Sequence, residues 1–168
     1  MLRGVLDDTT PEVETVMTVK DSPTLRRANA EDAEFAFRVL KETMRDYVVA
    51  TWGTWWEKES RREIVEQVSS ARTQIIELDG QPIGVQLVDR PGTHIQLVQL
   101  YVAKEFQRRG IGTELLNRLF VEAKESNLRI RLRVLAVNPA KRLYERLGFV
   151  VVETTPERYF MEWVPCVA

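Results

Sequence analysis

The stretch from His94 to Leu135 restricts the fold more than any other part of the chain. It runs as a strand to Val102, then as a helix over Gly112–Glu125, then as a second strand over Arg129–Leu135. Leu115, Leu116, Leu119, Phe120 and Ala123 recur at the spacing of three and four that lines one helix face, whereas Ile130, Leu132 and Val134 alternate with Arg129, Arg131 and Arg133. Two strands joined through a helix cannot form a hairpin, so they enter one sheet in parallel with a right-handed crossover. Such a pair is covered on both faces, which calls for helices on both sides of the sheet.

Antiparallel strands flank this unit. Gln74 to Leu78 leads into Asp79-Gly80, a dipeptide suited to a tight hairpin turn, and Ile83 to Val88 returns. Asp89, Arg90, Pro91 and Gly92 turn the chain again into the strand from His94, giving a three-stranded meander. Thr24–Arg27 reads as a first short strand. Asn29 is an N-cap candidate, with Glu31 and Asp32 in the first turn of a helix carrying Ala33, Ala36, Phe37, Leu40, Met44, Tyr47 and Val48. A weaker helical pattern over Glu57–Val68 rests on Ile64, Val65 and Val68, and Trp52, Gly53, Thr54, Trp55 and Trp56 lie between the two helices. After Leu135 come a helix over Pro139–Leu147 and strands over Phe149–Glu153 and Arg158–Trp163.

A chain of 168 residues with 44% apolar composition suits one domain. Residues 1–23 carry Asp7, Asp8, Glu12, Glu14 and Asp21 without periodicity and read as a flexible leader, with Met17 as an alternative start, ahead of a single domain over 24–168. The first residues lack the apolar run of a secretory signal and no stretch is long and apolar enough to span a bilayer, so a soluble, cytoplasmic protein with no membrane partner is expected. One cysteine, Cys166, and one histidine, His94, give no metal-ligating set and no disulfide framework.

Charge is distributed unevenly. Lys and Arg total 24 against 25 acidic residues, which argues against a general nucleic-acid binder. Between Lys104 and Arg146, however, eleven basic residues face five acidic ones, leaving −7 on the remainder. A near-neutral protein with one basic region suits a compact polyanion.

Within that region, Gln107-Arg108-Arg109-Gly110-Ile111-Gly112-Thr113 joins the strand to the helix. Glycines let the backbone turn tightly and approach a ligand, and consecutive N–H groups at the positive end of a helix dipole form a pyrophosphate site. A glycine-containing helix start with solvated arginines is the plain alternative for G-x-G alone, and the strand–loop–helix context favours the anion site. The preceding strand changes apolar parity: Ile95 and Leu97 are odd, whereas Val98, Leu100 and Val102 are even. Two readings fit. A β-bulge near Leu97 and Val98 would bend the strand away from its parallel neighbour, and a strand buried on both faces would tolerate mixed parity.

QLYV followed by AKEF, then QRRGIGTELL, and later VNPAKRLYERLGF resemble the GNAT superfamily of N-acyltransferases over about Thr24 to Trp163. Gln107, Gly110 and Gly112 occupy the positions of that family's pyrophosphate motif, and Asn138 and Tyr144 those of its later helix, with Asn138 one residue nearer to Tyr144 than in many members. The resemblance implies an α/β (α+β) fold: a mixed, mostly antiparallel sheet of six to seven strands, helices on both faces, and a splayed parallel pair at its centre. It implies acetyl-CoA as cosubstrate, no metal, and transfer of the acetyl group to a primary amine of a small molecule or peptide. Leu100, Tyr101 and Val102 would pair with the pantetheine arm, backbone N–H groups from Arg108, Arg109, Gly110, Ile111, Gly112 and Thr113 would hold the pyrophosphate, and Asn138 would contact the cofactor. The Val102 amide would stabilise the oxyanion, and Tyr144 would donate to the departing thiolate. A Tyr packing beside Leu143 and Leu147 is the alternative for Tyr144.

The base is less clear in the residues. Several members carry a Glu where this chain has Gln96, and an amide takes no proton. His94, Glu57 and Glu59 are substitutes, as is removal through water. With Gln96 in that place, a non-catalytic acyl-CoA-binding module is the competing reading, and a homodimer is compatible with either. The three tryptophans would shape an acceptor pocket or pack as core or lid, and Arg129, Arg131 and Arg133 would contact an acidic substrate or simply be solvated.

Overall fold

The computed structural model describes residues 22–166. The leader expected over 1–23, including the alternative start at Met17, falls outside them apart from Ser22 and Pro23. Pro23 is buried, and its carbonyl accepts a hydrogen bond from Arg118 Nη2 at 2.6 Å, so the anchored chain begins slightly before the first strand.

Seven strands form one mixed sheet. They are β1 (Thr24–Arg27), β2 (Thr73–Leu78), β3 (Gln81–Asp89), β4 (Ile95–Val102), β5 (Ile130–Leu135), β6 (Val150–Thr154) and β7 (Arg158–Trp163), in the order β1-β2-β3-β4-β5-β7-β6. Every neighbouring pair is antiparallel except β4 and β5. Asp79 and Gly80 both have positive φ, as the tight turn between β2 and β3 requires.

Four helices cover the two faces: α1 (Ala33–Trp52), α2 (Glu57–Val68), α3 (Ile111–Ser126) and α4 (Ala140–Arg146). Ala36 and Phe37 of α1 and Ile64 and Val68 of α2 pack on Ile75 and Val85. Arg61 of α2 lies 4.0 Å from the Phe37 ring and ties the two helices together. On the other face Leu116, Leu119, Phe120 and Ala123 of α3 pack on Val88, Ile95, Leu97, Ile130, Leu132 and Val134. Each large side chain buried this way contributes about 1.5–3 kcal/mol.

Three local expectations need correction. Asn29 caps a 3-10 turn over Ala30–Asp32 through a capping box with Asp32, and α1 starts only at Ala33. That helix continues to Trp52, with Gly53 in the left-handed conformation closing it, so Trp52 is helical. Val65 is 49% exposed and does not belong to the core face of α2.

The bulge is present. Leu87 pairs with Gln99 and Val88 with Leu97, so Val98 is the extra residue of β4. Its insertion explains the parity change: Leu97, Leu100 and Val102 all pack on the α3 side, while Gln99 reaches Gln67 of α2 on the other. Parallel pairing with β5 covers Ile95, Gln96 and Leu97 only, and from Val98 onward the two strands separate. Near the far end of β4, Gly84 of β3 lies opposite Val102, where a Cβ would stand 2.3 Å from the Tyr101 carbonyl oxygen.

At the sheet's outer end Arg26 joins β1, the 3-10 turn and β2. It donates to both Asp32 oxygens, at 2.9 and 2.8 Å, and to Glu77 at 2.6 Å. Asp32 is 8% exposed, and the Arg26 hydrogen bonds hold its carboxyl below the usual carboxylate range. A depressed folded pKa contributes stability above the unfolded value, and this is lost as pH falls through the folded one. Arg26→Ala is expected to cost about 1–2 kcal/mol near neutrality, between the figures for exposed and buried pairs. Urea midpoints of the two proteins should differ at pH 7 and converge at acid pH once Asp32 is protonated.

Candidate functional site

Separation of β4 from β5 opens a cleft of about 1130 Å³ through the middle of the molecule. Val98 to Val102 form one wall, and Leu132 to Leu135 with Asn138, Leu143 and Tyr144 form the other. The entry to α3 lies at one end, and Trp52, Trp55, Trp56, Glu63 and Gln67 from the α1–α2 side border it as well.

The loop before α3 has the backbone of an anion cradle. Arg108 (φ 60) and Gly110 (φ 77) are both left-handed, so the chain reverses twice within four residues. Gly110 stands at the N-cap of α3 without a side-chain cap, and the first intrahelical bond there is Glu114 N to Gly110 O. The N–H groups of Ile111, Gly112 and Thr113 therefore point out of the helix at its positive end, bordering the cleft. A Cβ on Gly110 would meet nothing within 4 Å, so the loop borders open space at this residue.

Side chains of the loop divide between binding surface and scaffold. Arg108 lines the cleft. Arg109 turns away, donating to Glu105 O at 2.9 Å and stacking over Phe106. Gln107 Nε2 donates to Val102 O at 2.8 Å, fastening the loop to the end of β4. Asn138 borders the cleft, but its Oδ1 accepts the Ala140 N–H at 2.9 Å at the start of α4, so this oxygen is already engaged.

Tyr144 lines the cleft and meets Phe149 edge-on at 5.7 Å between ring centres. Burial pushes its phenol up to about 12. Burial also raises the Tyr101 phenol, with Tyr144 and Glu63 adding to the effect and Arg133 opposing it. Two phenols, both held protonated, thus share the middle of the cleft. The place of the Tyr101 side chain in the cleft had no sequence signal, because it follows from the bulge, which turns the odd-numbered positions beyond Val98 toward α2.

Neither Gln96, at the position where several family members carry a base, nor the substitutes His94, Glu57 and Glu59 are among the described lining residues of the cleft. Gln96 lies where β4 and β5 are still paired, and its Nε2 donates to Arg131 O at 3.1 Å. His94 precedes β4, with Nδ1 2.9 Å from the Thr93 hydroxyl. Glu57 is bound at 2.8 Å by Lys41, which holds its carboxyl below the usual range. The carboxylate at the cleft is instead Glu63, which sequence reasoning missed because on α2 it reads as one of several solvent-facing acids.

The arginine row of β5 also separates. Arg129 and Arg131 both bind Glu162 of β7, at 2.8 and 2.9 Å, whereas Arg133 lines the cleft. Of the tryptophans, Trp52 and Trp56 are 39% and 45% exposed with ring centres 6.3 Å apart, and Trp55 packs against the α1–α2 core. All three border the cleft, and Arg158 lies 5.3 Å over the Trp52 ring.

Among the described residues, no cluster of three or more His, Cys, Asp or Glu is arranged to hold a metal, and no helix is long and apolar enough to cross a membrane.

Comparison with known proteins bears on this cleft. The family model described as an acetyltransferase (GNAT) domain matches residues 39–167. Among solved structures, the PaiA N-acetyltransferase from Thermoplasma acidophilum in complex with coenzyme A is 24% identical, with a TM-score of 0.63 over 85% of this chain and 99% of that one. An acetyltransferase from Thermus thermophilus is 20% identical, TM-score 0.67, covering 85% and 97%. The ribosomal-protein-S18-alanine N-acetyltransferase from Escherichia coli is 21% identical, TM-score 0.62, covering 87% and 96%. No curated protein is a significant sequence match.

The raised phenols give a direct check on the cleft. Two of the four tyrosines, Tyr101 and Tyr144, should resist ionisation to about pH 12 or beyond in the folded protein. Phenolate absorbance in an alkaline titration should show this delay, which should disappear in denaturant. Because folding raises these values, their stabilisation is full below the unfolded value near 10 and is lost as pH rises through the folded ones.

Proposed function

The chain belongs to the GNAT acetyltransferase family, whose members take the acetyl group from acetyl-CoA, and on that premise we propose that it is an N-acetyltransferase acting on a primary amine of a small molecule or peptide. The observation that carries this reading is the continuity of the cleft: an anion cradle at the α3 entry, a strand edge without a neighbour beyond Leu97, and an acceptor side walled by α1 and α2. A single domain over 24–168 would supply all three.

In this reading the pyrophosphate of acetyl-CoA rests on the N–H groups from Arg108 to Thr113, with Arg108 adding charge. Arg109 contributes its backbone, and Gln107 holds the loop in place through Val102. The pantetheine arm extends along Leu100, Tyr101 and Val102 as a further strand would. Asn138 supports this wall by accepting the Ala140 N–H at the start of α4, while its Nδ2 donates to Met44 Sδ of α1 at 3.8 Å. The neutral amine attacks the thioester carbonyl, and the Val102 amide stabilises the oxyanion. The carbon–sulfur bond then breaks and its electron pair leaves with sulfur.

Tyr144 is the donor to that sulfur. Burial pushes this phenol up to about 12, so it stays protonated and able to donate throughout the neutral range. Tyr144 therefore acts mainly by hydrogen bonding as sulfur becomes anionic, and the amine proton, released through water, restores the thiol. No dedicated base is required, in keeping with Gln96, His94 and Glu57 all lying away from the cleft.

Tyr144→Phe should lower kcat by about 10²-fold while leaving the acetyl-CoA Kd within about twofold. Wild-type turnover by the variant would remove Tyr144 from this role. The function itself is tested by mass spectrometry of amine mixtures incubated with isotopically labelled acetyl-CoA. Tight acetyl-CoA binding with no product from any amine would instead establish a non-catalytic acyl-CoA-binding module.

A further inference from the structure

The arginine row of β5 ends in an unmatched charge. Leu132 and Val134 pack against α3, so Arg129, Arg131 and Arg133 share the opposite face of the sheet. Glu162, opposite Arg131 on β7, is bound by both Arg129 and Arg131. Further along, Arg133 stands opposite Phe160, and Arg158 stands opposite Leu135. Arg133 and Arg158 are therefore diagonal neighbours on one face, and both line the cleft. Among the described residues, neither guanidinium has a carboxylate partner.

The surroundings of these two arginines separate them from the cofactor end. Arg158 lies 5.3 Å over the ring of Trp52 at the end of α1. Arg133 is near enough to the Tyr101 phenol to oppose its rise. Glu63 is the one carboxylate among the described lining residues, and it accepts from Gln67 at 3.1 Å and from neither arginine. Of the other cations at the cleft, Lys104 and Arg108 lead into α3, and Arg142 and Arg146 lie on α4. Because α3 covers the opposite sheet face, Arg133 and Arg158 stand across the sheet from the anion cradle. The cleft thus has a second positive site, on the side of the tryptophans.

The protein itself shows what such a pair accepts. Arg129 and Arg131 are two residues apart on one strand, about 6.5 Å, and a single carboxylate bridges them. The diagonal between Arg133 and Arg158 is comparable, about 7–8 Å. Two guanidinium groups on one face repel, and an anion between them relieves this. We infer that Arg133 and Arg158 receive a carboxylate of the acceptor, so that the molecule acetylated is an amino acid or a short peptide with a free carboxylate. This rests on the N-acetyltransferase reading and names the acceptor class of that same cleft. The arginine fork binds a carboxylate through two parallel N–H···O bonds, which orients the molecule as well as attracting it. The carboxylate is held and not transformed, and the rest of the acceptor faces the unpaired edge of β4.

The test uses the full chain, acetyl-CoA and matched acids and amides: L-leucine with L-leucinamide, L-phenylalanine with L-phenylalaninamide, and alanyl-alanine with alanyl-alaninamide. Spermidine and phenylethylamine serve as amines without a carboxylate. The readout is the acid-to-amide ratio of kcat/KM, and its change between wild type and variant cancels the differing basicity of the two amines. R133Q and R158Q should each lower this ratio by about 10-fold for the preferred pair. R133K should retain part of it, since the charge remains and the fork is lost. Wild-type KM for the acid should rise with salt. A ratio that falls for the amino-acid pairs assigns the carboxylate to free amino acids, and one that falls for the dipeptide pair assigns it to peptides. Arg133 is exposed, so R133Q alone carries the test if the half-buried Arg158 proves necessary for folding by thermal melting. A ratio unchanged in the folded variants, a loss of acetyl-CoA affinity in its place, or turnover confined to spermidine and phenylethylamine would overturn this inference alone. Absence of product from all of these compounds and from the amine mixtures would overturn the acetyl-transfer reading and this inference together.

Discussion

Strand β4 has to satisfy two neighbours with different demands, and the structure follows from how it does so. Its β3 side stays hydrogen-bonded from Gln96 to Val102. Its β5 side is paired only through Leu97. One inserted residue, Val98, reconciles the two by bending the strand and resetting its alternation. With that bend the backbone beyond Leu97 loses a neighbour and acquires room for an extended ligand. The same reset turns Gln99 and Tyr101 toward α2 while keeping Leu100 and Val102 against α3. An opening through the centre of a sheet would normally weaken it, and here the helices close the core on each side of the gap.

Around this opening the polar side chains are largely occupied in holding the walls. Gln107 fixes the loop to Val102, Asn138 caps α4, and Lys104 N–H is held by Glu42 of α1. Arg129 and Arg131 close on Glu162 at the end where β4 and β5 are still paired. Backbone amides at the α3 entry have neither an intrahelical acceptor nor a side-chain cap. The α1–α2 side is built differently, from tryptophans, the Tyr101 phenol and the hydrogen-bonded Glu63, Gln67 and Gln99. The α3 end of the cleft thus offers main-chain groups, and the α1–α2 side offers side chains that sequence change can reach.

That division explains what the sequence disclosed. Strands and helices were legible because hydrophobic periodicity records burial, and α2, β1 and β7 fall where the pattern placed them. The loop was legible because G-x-G at a strand–helix junction reports backbone geometry. The bulge was visible as a change of parity at Val98, though parity alone left a strand buried on both faces as an equal reading. On the α1–α2 side the tryptophans were legible and the polar residues beside them were not. Glu63 is four residues before Gln67 on a helix crowded with charge, and its link to Gln99 spans elements far apart in the chain. The family resemblance pointed to Gln96, which stops short of the cleft because β4 is still paired with β5 there. Arg129, Arg131 and Arg133 read alike in sequence, and only the location of Glu162 distinguishes them.

Gly84 adds a consequence of its own. Its Cα carries no side chain, and β3 and β4 approach there until a methyl group would sit 2.3 Å from the Tyr101 oxygen. Any single-base change that replaces glycine with another amino acid introduces that carbon. The position is therefore closed to stepwise drift. Exposed residues on the α1–α2 side meet no such barrier, and lineages carrying this scaffold would be expected to retain a glycine at this point of the sheet.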